Sequence, residues 1–108
     1  MASEININEI QQLCRDEAFR WTNHIHVRLQ QRNIVIDDVV STIINGEIIE
    51  QYPNDYPFPS CLLLGETIGK KPLHVVCGIS SGELWMITAY HPNIDEWMKD
   101  FKVRRESL

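Results

Sequence analysis

The chain has 108 residues, 44% of them hydrophobic, and a formal charge of −5 from 10 Lys and Arg against 15 Asp and Glu. At that length a single domain over residues 1–108 is expected and a multidomain enzyme is excluded, because so short a chain buries only ~60–70% of its unfolded surface and fills one core. The acidic balance removes the global basic footprint that displaces counterions from nucleic acid. The excess is uneven, however: residues 1–19 carry −3 of it, leaving −2 for the rest and room for a local basic patch.

No apolar run approaches the ~20 residues that cross a bilayer, so no membrane partner is expected. Met1–Ile10 lacks the basic start and apolar stretch of a signal peptide, which points to a cytoplasmic protein. Cys14, Cys61 and Cys77 are odd in number and far apart, with no C-x-x-C pair, and read as buried free thiols.

Along the chain, helical spacing before Gly46 gives way to strand-like spacing after it. Ser3 is placed to cap a first helix within residues 1–19, with Glu4 in its first turn and Ile7, Ile10 and Cys14 on one face. Phe19 to Thr22 suggests a short strand. Asn23 to Arg32 reads as a second helix with Ile25 and Leu29 inward. Asp37 is the expected N-cap of a third, whose stripe is Val39, Val40, Ile43 and Ile44, with Gly46 as a left-handed C-terminal cap.

Four strand candidates follow, Glu47 to Tyr52, Cys61 to Glu66, Leu73 to Ile79 and Leu84 to Tyr90, each bounded by Pro, Gly, Asn, Asp or Ser. Connections this short favour antiparallel neighbours. The expected fold class is therefore α+β, with N-terminal helices packed on one face of a small antiparallel β-meander sheet. Pro92 ends the last strand, and Ile94, Trp97, Met98 and Phe101 suggest a short terminal helix before an exposed Arg104 and Arg105. The acidic first helix and the basic tail are surfaces for homo-oligomer contacts.

Two groups of residues are equipped for chemistry. His24, Arg28 and Arg32 recur at four-residue steps and share a helix face, offering two guanidinium groups and an imidazole to an anion. The same spacing equally describes a solvated face with Arg28 or Arg32 paired to Asp37, Asp38 or Glu47. His26 points about 200° away from His24 on a helix, so the two do not form a metal face, and no metal site is expected.

The second group lies on the last hairpin. A three-residue loop, Ser80-Ser81-Gly82, with Gly82 in the left-handed position, would pair Ile79 with Glu83 and His74 with Thr88, placing His74, Thr88 and Tyr90 on one face, whereas a two-residue Ser81-Gly82 loop would change the parity and spoil this arrangement. Leu73, Val75, Cys77, Trp85, Ile87 and Ala89 would then form the core face. With an Arg from the neighbouring helix, His74 could move a proton and Arg28 stabilise charge in metal-independent attack on a phosphodiester. The alternative is a polar sheet face whose groups only hydrogen-bond one another. Glu47 and Glu50 are candidate partners for the Arg ridge, and the aromatic, Pro-rich run Tyr52 to Pro59 could stack bases or dock a partner. Gly65 to Pro72 lacks the spacing of a nucleotide P-loop and reads as a hairpin tip with solvated lysines.

From Trp21 to Arg105 the sequence resembles a family of small bacterial and archaeal proteins, the domain of unknown function DUF4258. The resemblance rests on Thr22, His24, Arg28 and Arg32, on Ile34 and Asp38-Val39, on Gly46-Glu47-Ile48-Ile49 with Tyr52-Pro53, and on Pro59 to Gly65. It extends through Pro72-Leu73-His74-Val75-Val76, Ile87-Thr88-Ala89-Tyr90, Pro92, Trp97 and Arg105. It implies the fold of RelE/ParE-like toxins and the wider barnase-like group of metal-independent ribonucleases, with a RelE-like core over residues 20–105. It also implies RNA or the ribosome as target, an antitoxin-like protein partner and no cofactor. His24, Arg28, His74, Thr88 and Tyr90 become catalytic candidates, and Arg32, Glu47 and Tyr52 candidates for substrate binding. RelE-like toxins are usually basic and this chain is acidic. That contrast favours a second reading, a non-catalytic module of the same fold holding a small anionic ligand or a protein partner.

Overall fold

The structure is a computed structural model and describes residues 4–106. The expected cap Ser3 lies outside the described residues. Helix α1 spans Ile7–Arg15, and the Asn6 side chain accepts from the Asn8 amide at 2.7 Å, so Asn6 closes its start. Glu4 consequently precedes the helix, and Glu9 is the acidic residue of the first turn. Strand β1, Phe19–Trp21, leads into α2, Asn23–Gln31, and α3 follows at Ile36–Asn45.

Two expectations at the ends of α3 are corrected. Its N-cap is Val35, two residues before the expected Asp37, so Asp37 and Asp38 lie inside the first turn, where carboxylates are stabilised by the positive end of the helix dipole. Asp38 turns outward from the helix axis to accept from the Ile68 amide at 3.1 Å. Gly46 has φ −90°, not a left-handed value; glycine fits there because a Cβ would run into the Thr42 and Leu64 carbonyl oxygens. The α3 stripe is as read at Val39 and Ile43, which are fully buried, while Ile44 is exposed.

Strands β2 (Glu47–Tyr52), β3 (Ser60–Glu66), β4 (Pro72–Ser80) and β5 (Glu83–Tyr90) form the expected antiparallel meander. β1 adds to the free edge of β5 in parallel, giving a mixed sheet ordered β1-β5-β4-β3-β2. This parallel pair is possible because α2, α3 and three strands separate its members in sequence. The α+β class with helices ahead of the meander holds. Ile10, Ile25, Leu29, Val39 and Ile43 from the helices meet Cys61, Leu63, Leu73, Val75, Cys77, Leu84, Met86 and Ala89 from the sheet, all buried. All three cysteines are buried and free. No helix among the described residues is long and apolar enough to cross a membrane.

The last hairpin differs from expectation in a way that matters for the site. Its loop has two residues, Ser81 and Gly82, both at positive φ (54° and 74°), the signature of a type I′ turn. Ser80 pairs with Glu83, and by alternation alone His74 would then lose its outward partners. A bulge restores parity: Cys77 pairs with Met86 but Val76 with Thr88, leaving Ile87 as the extra residue. His74 therefore faces Tyr90 across the ladder, not Thr88. Trp85, expected in the core, registers with Gly78 on the helix-free face, and Leu84 and Met86 take the core positions.

Beyond Pro92 the chain forms turns and one isolated bridge, Trp97 to Arg104, where a terminal helix was expected. Asn93 caps a single turn through its side chain to the Asp95 amide, and Phe101 adopts φ 59°, which stops any continuing helix. Trp97 is buried by folding back on the sheet, whereas Ile94 and Met98 are exposed.

Candidate functional site

Alternation along the meander, reset by irregularities at Ile49 of β2 and Ile87 of β5, sends Glu47, Glu50 and Tyr52 of β2, His74 of β4 and Thr88 and Tyr90 of β5 to the helix-free face. This face has two halves. At one end a polar cluster lies beneath residues 93–106; at the other, an aromatic hollow lies beside the loop of residues 53–59.

His74 is the centre of the polar half and is fully buried. Its Nε2 lies 2.8 Å from the Phe101 carbonyl oxygen and its Nδ1 3.2 Å from the Tyr90 hydroxyl. A carbonyl only accepts, so Nε2 carries the proton and Nδ1 accepts from Tyr90. Rings of Tyr90 and Trp97 pack edge-on against it, at centroid distances of 5.2 and 4.5 Å. Burial pushes the His74 pKa down; the Phe101 bond and the Glu50 charge pull it back only in part, so the imidazole is neutral.

Beside it Glu50 receives the Tyr52 hydroxyl at 2.5 Å and two hydrogen bonds from Arg104, at 2.9 and 3.1 Å. Burial raises the Glu50 pKa, but the bonds from Arg104 and Tyr52 outweigh it and hold the carboxyl below its usual range. Burial and the Glu50 bond push Tyr52 up to about 12. Arg104 also lies 4.6 Å above the Trp97 ring. Glu47 is paired outward with Lys102 at 2.7 Å.

The α2 ridge does not converge on this cluster. His24 and Arg28 are exposed and, among the described residues, make no ion pair or side-chain hydrogen bond; Ile25 and Leu29 turn the opposite side of the helix into the core. Only Arg32 reaches the sheet. Its Nη1 donates to Thr88 Oγ1 at 3.2 Å and to the Ala89 carbonyl at 2.8 Å, beyond the point where β1 stops pairing β5. Arg32 thus caps an open sheet edge, as the C-cap residue of α2. Burial raises the Tyr90 pKa, with Arg104 and Arg32 acting against it.

The structure accordingly gathers Tyr52, His74 and Tyr90 from the sequence-derived candidates, places Arg32 and Thr88 at the neighbouring edge, leaves Glu47 on the rim, and keeps His24 and Arg28 apart. Glu50, Trp97, Phe101 and Arg104 complete the cluster. Glu50, expected as a partner of the α2 arginines, pairs instead with Arg104, and the last three arrive on a segment without regular structure. Among the described residues no group of three His, Cys, Asp or Glu side chains is arranged to hold a metal ion.

The aromatic half is open. A hollow of about 370 Å³ is lined by Asp55, Tyr56, Pro57, Phe58, Trp85 and Ile87, with Thr22 at its edge. Phe58 sits over Gly78, where a Cβ would come within 2.7 Å of its ring, and its ring lies 5.6 Å from that of Trp85 at 44°. Trp85 Nε1 is buried without a hydrogen-bond acceptor. Leaving such a donor unpaired costs about 1–3 kcal/mol, so the feature calls for a reason. A larger hollow volume is not needed for a ligand, since small-molecule sites begin near ~300 Å³.

No curated protein and no solved structure matches the chain. Residues 21–91, however, match the family described as Domain of unknown function (DUF4258), a span that holds Glu50, Tyr52, His74, Tyr90 and Trp85 but ends before Trp97, Phe101 and Arg104. Two thirds of the sequence is covered, and the chain belongs to the DUF4258 family.

Proposed function

We propose that this DUF4258 domain is a non-catalytic binding module that takes a protein partner. The observation that carries the reading is the bonding of His74. Both ring nitrogens are spent on Tyr90 and Phe101, the side chain is fully buried, and burial holds the ring neutral. A general acid or base must reach the proton it transfers, within about 2.6–3.2 Å or through one water. The polar cluster is built instead as a clasp that fixes residues 97–104 to the sheet, while the aromatic hollow on the same face stays open. The direct test is incubation of the purified chain with RNA in the presence of a chelator, together with growth of cells expressing it. Intact RNA and unimpaired growth are expected; cleavage or arrest that His74→Ala relieves would refute the reading.

A second reading is a metal-independent ribonuclease of RelE-like type, acting on RNA or the ribosome and restrained by an antitoxin-like protein. One observation favours it: a carboxylate (Glu50), an imidazole (His74), two phenols (Tyr52, Tyr90) and a guanidinium (Arg104) share one sheet face. Those groups supply acid, base and charge stabilisation for attack by a ribose 2′-hydroxyl. The reading requires residues 97–104 to leave the face. A chain ending at His91 that cleaves RNA where the full chain does not would support it.

A further inference from the structure

Resting on the binding-module reading, we propose that the hollow beside Trp85 receives an extended partner segment in which a proline adjoins an arginine or lysine. Three features of the hollow define that chemistry.

The first is the unpaired indole N–H. It is a donor with no acceptor inside the protein, so the matching group is an oxygen with a free lone pair. Extended proline-bearing segments have no internal hydrogen bonds, and their carbonyls stand free at low ordering cost. The nitrogen is shielded from solvent, so a docking carbonyl reaches it only as the wall formed by residues 53–59 gives way. Tyr56, 92% exposed on that wall, is held by little packing of its own.

The second is shape. The Phe58 and Trp85 rings, tilted at 44°, form two sides of a wedge closed by Pro57 and Ile87. A pyrrolidine ring fills such a wedge without a rotamer to freeze, which is why aromatic-lined grooves suit proline segments.

The third is charge. Asp55 is the sole ionisable acid or base among the wall residues apart from the Tyr56 phenol, and no Lys or Arg lines the hollow. Its carboxylate is fixed by accepting from the Tyr56 amide at 3.1 Å and the Ser60 hydroxyl at 2.6 Å, and each oxygen retains a lone pair. A phosphate-bearing ligand meets repulsion here and in the net charge of −5, whereas a cation gains Asp55 and the exposed Tyr56 ring.

The test follows the indole N–H resonances of the three tryptophans in the ¹⁵N-labelled full chain. The probe is the peptide acetyl-Pro-Pro-Arg-Pro-Pro-Arg-amide, compared with its glutamate counterpart and with an oligouridylate. The Trp85 signal is expected to move downfield on titration with the arginine peptide alone, with those of Trp21 and Trp97 nearly still. Trp85→Phe should abolish the signal and weaken binding about fivefold, the worth of one hydrogen bond. Asp55→Asn should weaken it by a similar factor and flatten its salt dependence, in a chain whose aromatic wall is intact. No shift at millimolar peptide, or an equal shift with the glutamate peptide, overturns the proposal; so does a shift with oligouridylate in its place. If the peptide fails while RNA stays uncut, the ligand class falls and the binding-module reading stands. Cleavage of RNA removes that reading and the proposal with it.

Discussion

The Nε2–H of His74 on β4 donates to the carbonyl oxygen of Phe101, 27 positions further along, at 2.8 Å. That single bond ties a segment without helix or strand to the middle of the sheet, and it fixes which nitrogen carries the proton. The consequence is a pH dependence of stability. With the folded pKa lowered by burial, the unfolded chain takes up a proton near pH 6.5 while the native one still refuses it. The unfolded state then binds more protons, so the His74 contribution is full above about pH 6.5 and is lost as pH falls toward the lowered native value. Urea midpoints measured from pH 7.5 to 5 should decline through that window. His74→Gln should lower the midpoint at pH 7.5 and reduce the slope; an unchanged slope would show that other groups carry it.

Glu50 and Arg104 close the same segment from the other side. Their hydrogen bonds are bidentate, but the Arg104 side chain is 57% exposed, so solvent screens much of the attraction. Arg104→Ala also removes the cation above Trp97 and should cost about 1 kcal/mol, read as a fall of several degrees in Tm. Glu50→Ala should cost more, about 2 kcal/mol, because it strands the Tyr52 hydroxyl as well. Equal effects of the two substitutions in thermal melts would contradict this ordering.

Cys61 and Cys77 face each other across β3 and β4 in the core. The neighbouring Cys61 thiol, with desolvation, pushes Cys77 well above its ordinary value, and burial pushes Cys14 up. All three side chains are shut off from reagent by burial, so they should resist alkylation by iodoacetamide in the native chain at pH 8 and react together in urea. Mass spectrometry of quenched time points separates this outcome from fast single-site labelling, which would place a thiol at the surface.

Much of the fold was legible because its signals were local. The stripes Ile10 with Cys14 and Val39 with Ile43 set two helix faces, and turn residues bounded the four meander strands. What was hidden depended on tertiary choices. Ser81 accepts a positive φ that sequence reading assigned to Gly82 alone, which shortened the loop by one residue, and only the bulge at Ile87 returned Thr88 and Tyr90 to the His74 face. The candidate site was half readable for the same reason: Glu50, Tyr52, His74 and Tyr90 alternate on strands, whereas Arg104 is placed by side-chain bonds no periodicity announces. The four-residue ridge of α2 was real as spacing, yet Ile25 and Leu29 decide the rotation of the helix, and they turn His24 and Arg28 to solvent.

Gly78 has no side chain, and that makes room for the aromatic half of the face. Its backbone needs no left-handed conformation, so the constraint is steric: a Cβ would stand 2.7 Å from both the Phe58 ring and the Pro59 carbonyl oxygen. The carbonyl belongs to the residue preceding β3 and has little freedom, so the ring must give way. Gly78→Ala should therefore destabilise the chain by about 1–3 kcal/mol and push Phe58 away from Trp85. Tryptophan fluorescence and the Trp85 indole resonance report that displacement directly, while Trp97, enclosed by His74 and Arg104, should keep its resonance. A variant as stable as the parent with both signals unmoved would mean that Phe58 is not packed on the strand at this position, and the wedge that defines the hollow would go with it.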